Sequence, residues 1–418
     1  MKWGGLREQF KGVAWKRLTP HEVDPNVSNG HEFQGVGALR ELLGSENRKD
    51  IPAKYLLLTD DPDDAITVAS TISWYDARAN QSHRSPEWRL YYPNAAGAVQ
   101  ARMQAGDLMV ICVGASDQIA ILLARAGSSS EAQLRALFGL TQEGAKSVEV
   151  KSFGSAQSFD FVAAMILEEL GLGKASLQQD AEADEIAVIA EQLIKQYPNA
   201  LPTSAAVSAL VTAGVKNVDA VADPDHALMR WVEAEAAAFR TWEDARIARR
   251  LHEGFVDTVG AADVSGFRAF TMTLRQSRVS RAGGALQNHT ARVLDAHKVR
   301  FEAQATTEKG ERPDFIFPGS VEYADPSYPA QRLRLLAAKF TLKERWRQIL
   351  NEGARVAEKH VITMDGAITR ATLASIGDSH LRVVMPRSLR DTYVGTMRDQ
   401  ILTVRDLLDG PLKIHRTE

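Results

Sequence analysis

The sequence predicts a two-domain chain, with a mainly β N-terminal half and an α/β C-terminal half. Three observations carry this. Residues 1–150 contain short runs rich in β-branched and aromatic residues, separated by Asp, Asn, Pro and Gly turns. From Phe159 the apolar spacing becomes helical. Beyond Val299 short apolar runs alternate with helical segments, the pattern of a layered α/β core.

In the first half the expected strands are Lys54–Leu58, Ala65–Tyr75, Glu87–Tyr92 and Asp107–Gly114. Short strands with irregular loops suggest a barrel or sandwich. Helices are expected at Gln118–Gly127 and Glu131–Phe138, then at Phe159–Leu170 and Glu185–Tyr197. Between the last two, Gly171–Ala183 is small and polar and reads as a linker. The expected division is therefore residues 1–172, a linker at 173–184, and residues 185–418. The second part opens with helices at Thr203–Ala213, Pro224–Glu253, Val264–Arg278 and Leu286–His297. Strands are expected at Val299–Thr306, Asp314–Phe317, Arg334–Phe340, His360–Met364 and Leu381–Met385, with helices at Glu344–Lys359 and Tyr393–Leu408.

The composition, 44% hydrophobic and 25% charged over 418 residues, suits two or three folded domains rather than a disordered chain. The single cysteine, Cys112, excludes a disulfide framework and a multi-cysteine zinc cluster. The segment MKWGGLREQFKG lacks the apolar stretch of a signal peptide, and no apolar run is long enough to span a bilayer. A soluble, cytoplasmic protein without a membrane partner is expected. Formal net charge is only −3, but it is unevenly spread. Residues 171–240 carry a net −5, whereas 271–300 and 331–360 each carry +5. Basic segments of this kind suit phosphate contacts, although a solvated helix face has the same composition.

The chemically informative stretch is Arg312–Glu352. Pro313-Asp314 starts one short apolar strand, Lys339 ends a second, and Glu352 follows the lysine by 13 residues. Two carboxylates are hard oxygen ligands for Mg2+, and a lysine beside them can stabilise charge at a phosphate. This is the chemistry of a metal-dependent phosphodiester hydrolase. The usual second acid of a Glu-x-Lys pattern would stand at 337, where this chain has Ala337. A surface glutamate and a lysine reaching out to water from a strand end make up the plain alternative.

The segment PDFIFPG…AAKFTLKERWRQILNEG closely resembles the catalytic domain of the EcoRII restriction endonuclease family. SRAGGALQNHTARVL resembles that family's SRAG-containing helix, and DPDHALMRWVEAEAAAFRTWEDARIARRL the helical approach to the same domain. Lys16-Arg17-Leu18-Thr19, Gly30-His31 and ISWYDARANQSHRSPEWRLYYP resemble its separate B3-like DNA-binding pseudobarrel. The resemblance implies a rearranged PD-(D/E)xK site made by Asp314, Lys339 and Glu352, with Mg2+ held by Asp314 and Glu352. A further acid of the family falls at Gln287, a neutral amide that cannot act as a base.

The resemblance also implies that Lys343-Glu344-Arg345 reads the CC and GG ends of a short interrupted palindrome. Lys and Arg donate to guanine and Glu accepts from cytosine in the major groove. The same three residues are also an ordinary helix start, with Glu344 favouring the dipole. In the N-terminal half, Arg84, Glu87 and Arg89 lie on a charged loop, and Lys16, Arg17 and His31 are candidates for the opposite wall of a DNA cleft. Trp74, Trp88 and Trp346 read as core.

The function so implied is a type II restriction endonuclease, a homodimer cutting double-stranded DNA with Mg2+. Its N-terminal domain would bind an additional site and restrain cleavage. A DNA-binding protein impaired in cleavage, and a PD-(D/E)xK nuclease of repair or recombination, are the alternatives.

Overall fold

The computed structural model describes residues 3–5, 10–23, 31–34, 36–59, 66–81, 83–114, 117–140, 148–152, 158–159, 181–256, 260–342, 345–393 and 395–417. It divides into two compact units, one spanning 2–178 and the other 179–366 and 370–418. Of the expected helix Phe159–Leu170 only Phe159 is described, and it lies in a short strand rather than a helix; residues 160–170 and most of the expected linker lie outside the described residues, and residues 181–183 open a helix.

In the N-terminal unit, β1 (Trp3–Gly5) pairs with β10 (Ser158–Phe159). The other strands form a curled eight-stranded sheet. They are β2 (Phe10–Arg17), β3 (Glu32–Phe33), β4 (Arg48–Leu58), β5 (Ile66–Asp76), β6 (Trp88–Tyr91), β7 (Leu108–Gly114), β8 (Ile119–Ala124) and β9 (Glu149–Ser152). Their order is β3-β6-β5-β4-β8-β7-β2-β9, antiparallel except for β4 against β8. The core gathers on one face around Tyr55, Trp74, Trp88, Leu90 and Ile121, with the Trp74 and Trp88 rings stacked at 4.8 Å. Exchanging such an aromatic for alanine costs about 3–5 kcal/mol.

The expected helix Gln118–Gly127 is instead the strand β8. Every residue of Ile119–Ala124 is buried, and a continuous apolar run covered on both faces has no period by which to tell strand from helix. The expected helix Glu131–Phe138 is present as α1 (Ser129–Phe138), capped by the Ser128 side chain.

The C-terminal unit begins with α2 (Ala181–Gln196), α3 (Ser204–Gly214), α4 (Pro224–Glu253) and α5 (Val264–Ala296). Two separate helices were expected over the span of α5, but it runs unbroken through Gly283-Gly284. A Cβ at Gly284 would stand 2.5 Å from Ser204 Oγ, so glycine here admits α3 close against α5. A six-stranded mixed sheet follows, in the order β11 (Glu302–Ala303), β12 (Phe315–Phe317), β13 (Arg334–Ala338), β14 (Lys359–Ile362), β15 (Leu381–Val384), β16 (Ile401–Leu402). The first two pairings are antiparallel and the last three parallel.

Three expectations are corrected in this unit. The strand Val299–Thr306 shrinks to β11. The helix Glu344–Lys359 shrinks to α6 (Trp346–Asn351), and Lys359 opens β14 instead. Glu352 is the C-cap of α6, and Gly353 follows at φ 59°, the left-handed turn that ends a helix. The last helix breaks into Thr396–Asp399 and Val404–Asp409 around β16. The helix α7 (Arg370–Asp378) was not foreseen.

Candidate active site

β12 and β13 run antiparallel with Phe315 opposite Leu336. The start of one and the end of the other therefore fall at the same end of this strand pair. Asp314 precedes β12 and Lys339 follows β13, and their side chains meet, with Lys339 Nζ 3.0 Å from Asp314 Oδ2. The same oxygen accepts the Ala338 N–H at 2.8 Å, and Asp314 Oδ1 accepts from Gln304 Nε2 at 2.9 Å. Three donors thus hold a carboxylate that is 8% exposed. A carboxylate offers about four lone-pair positions, so one remains open.

Glu352 reaches this neighbourhood from the end of α6. It is 9% exposed, and its Oε2 is buried without a hydrogen-bond partner. Burial pushes its carboxyl up to about 7; Lys339 opposes the rise, Asp314 and Glu311 add to it, and Lys359 opposes it. The peptide around it is held from several sides. Lys359 Nζ donates to Leu350 O at 2.6 Å, Glu308 accepts from the Ala354 N–H and from Tyr323 Oη, and Arg355 donates to Asp325 O and Tyr328 O. Gln304, Glu308 and Lys359 were missed in the sequence. They lie on no motif and reach the site only through sheet register and the turn after α6.

A divalent cation fits the Asp314–Glu352 pair. An orphaned, buried carboxylate oxygen with a raised pKa is costly alone and is relieved by positive charge. Among the described residues no group of three or more His, Cys, Asp or Glu could hold a metal. Two carboxylates leave the remaining positions to oxygen from water and phosphate, which is the habit of Mg2+.

Gln287 lies half-buried on α5. Among the described residues no hydrogen bond joins it to Asp314, Lys339 or Glu352. Its neighbours on the helix serve a buried network instead. Glu235 of α4 accepts from Ser208 Oγ at 2.7 Å, stands 2.8 Å from His289 Nε2, and has Arg281 at 3.8 Å. Lys343 and Glu344 lie outside the described residues; Arg345 is exposed at the start of α6, and Trp346 is core.

The N-terminal candidates separate. Lys16 is 1% exposed, pairs with Glu22 at 2.8 Å and donates to Gln34 O at 2.8 Å. Contrary to the expectation of a cleft-wall cation, Lys16 presents no exposed ammonium to a phosphate. Arg17 is bidentate to Glu131 at 2.9 and 2.5 Å and donates to Gly106 O, tying β2 to α1. Arg89 binds Glu32 at 2.5 Å and Glu87 at 2.7 Å, while Arg78 binds Glu87 at 2.5 Å. His31 packs edge-on against Tyr91 and Tyr92. Arg84 is exposed and enters no ion pair among the described residues.

No helix among the described residues is long and apolar enough to cross a membrane. Residues 239–408 match the family model described as EcoRII C terminal. The chain is 32% identical over 234 residues to the type II restriction enzyme EcoRII of Escherichia coli, covering 56% of this chain and 55% of that protein. It is 24% identical over 151 residues to the type II restriction enzyme SsoII of Shigella sonnei, covering 34% of this chain and 48% of that protein. The chain spans about half the length of these curated relatives. A solved structure of metal-depleted Ecl18kI in complex with uncleaved, modified DNA is similar at 20% identity and a TM-score of 0.44, covering 57% of this chain and 85% of that one.

Proposed function

We propose, since residues 239–408 match the EcoRII C-terminal family model, that the chain is a type II restriction endonuclease. It hydrolyses phosphodiester bonds in double-stranded DNA at a short site with CC/GG ends. The observation that carries this reading is the meeting of Asp314 and Lys339 at one end of the β12–β13 pair, with Glu352, its Oε2 unpartnered and its pKa raised, in their field.

Asp314 and Glu352 would hold Mg2+, which supplies Lewis acidity at the scissile phosphate. Lys339, kept in place by Asp314, offers its ammonium protons to phosphate oxygens as their charge grows. The three donors on Asp314 hold that carboxylate in one orientation. Lys343, Glu344 and Arg345 read the C·G ends from the major groove. A palindromic cut uses two such sites, so the working form is a homodimer. Gln287 supplies no base and leaves one cation as the requirement. It is also the observation that favours a second reading, a sequence-specific binder impaired in cleavage.

The N-terminal unit is a B3-like pseudobarrel that binds an additional copy of the site and restrains the catalytic unit. Arg84 is its exposed cation for DNA; Arg89 and Glu87 enter as a paired set whose opening DNA would induce. What supports a separate binding unit is its own core, distinct from the catalytic residues.

The test is digestion of plasmid DNA with Mg2+ and with chelator, followed by mapping of the ends. Discrete double-strand breaks at one short sequence are expected, and binding without cutting would favour the second reading. A fragment starting at residue 179, before α2, is expected to cut one-site DNA faster than the full chain does. Equal rates would remove the restraint and leave the N-terminal unit a targeting role.

A further inference from the structure

We propose that Gln304 is a positioning residue, whose side-chain amide fixes the rotation of the Asp314 carboxylate and thereby sets the affinity of the site for a divalent cation. This rests on the reading of Asp314 and Glu352 as a cation site. Two of the three donors on Asp314, the Ala338 N–H and the Lys339 ammonium, act on the same oxygen, Oδ2. Gln304 Nε2, at 2.9 Å, is the donor that holds Oδ1. A carboxylate anchored at one oxygen can swing about its Cβ–Cγ bond; one anchored at both cannot.

The backbone is arranged to deliver this amide. β11 pairs with β12 so that Ala303 faces Phe315, and the next residue outward, Gln304, gives its N–H to Asp314 O at 3.2 Å. Gln304 adopts φ 53°, the left-handed region that disfavours a residue with a Cβ. Glycine would relieve that strain, but it has no amide to offer. The residue itself is exposed, so burial does not account for its fixed side chain. An outer hydrogen bond of this kind on a ligating carboxylate typically changes metal affinity by about 10–100-fold.

Gln304→Ala and Gln304→Gly separate the amide from the turn. In the full chain, Mn2+ binding is titrated by calorimetry without DNA, and the unfolding midpoint is measured in chelator. Glu352→Gln serves as the site control and should bind no Mn2+ at this site. Both Gln304 variants are expected to bind Mn2+ about tenfold or more weakly. Gln304→Gly should keep or raise the metal-free unfolding midpoint, which a merely structural role would not allow together with lost affinity. If Gln304→Gly binds Mn2+ as wild type does, only the turn matters and the positioning role is wrong. If wild type shows no Mn2+ binding that Glu352→Gln removes, the cation site itself falls, and the proposal with it.

Discussion

Glu352 is held in a state that the metal-free protein should be more stable without. Its carboxyl is pushed by burial from 4.5 to about 7. The unfolded chain releases this proton near 4.5, whereas the folded chain keeps it until about 7. Between those values the folded state binds more protons, so stability falls as pH rises through that window. Below it both states are protonated, and above it both are ionised with the loss complete. At 1.36 kcal/mol per pH unit the loss amounts to about 3 kcal/mol. Glu352→Gln keeps the shape and removes the charge. In chelator the variant should match wild type at pH 4.5, gain on it through pH 7, and stay about 3 kcal/mol more stable above that, while cutting no DNA. The assay is urea unfolding of both proteins from pH 4.5 to 8 at fixed salt. A variant no more stable than wild type at pH 8, or an advantage independent of pH, would refute the account of this carboxyl as a buried, unpaired charge.

Asp314→Ala and Lys339→Ala should each abolish cleavage while leaving site-specific binding in Ca2+ largely intact; a variant that still cuts near the wild-type rate would take its residue out of the site. Gln287→Glu should preserve or raise activity, read in the same cleavage assay. Lys343→Ala, Glu344→Ala and Arg345→Ala should each weaken specific binding by about 1–3 kcal/mol, and in filter binding only the two cation losses should also lower non-specific affinity. Glu22→Ala should destabilise the N-terminal unit by about 3–5 kcal/mol, because it leaves the Lys16 ammonium buried without its partner; a urea midpoint unchanged from wild type would show that water reaches Lys16.

The sequence by itself determined the parts of this protein that local chemistry writes down. The helix at about Pro224–Glu253 was legible, because an Asp cap, a proline at the first turn and a closing glycine mark its ends. Asp314, Lys339 and Glu352 could be singled out because they stand in one segment that resembles a known family, and the first two side chains do meet in the fold. Tertiary structure alone decided what depends on partners distant in the chain. Ile119–Ala124 became a strand because β4 and β7 flank it on both sides, a covering that its own apolar run does not encode. Lys16 looked like a surface cation until Glu22 and Gln34 enclosed it. Gln304 gained its place through the pairing of β11 with β12, and Glu352 its raised pKa through burial at the end of a helix shorter than its periodicity suggested. Hydrophobic period and capping act over a few residues and can be read in order. Burial, register and the field at a carboxylate are sums over neighbours that only the folded chain brings together.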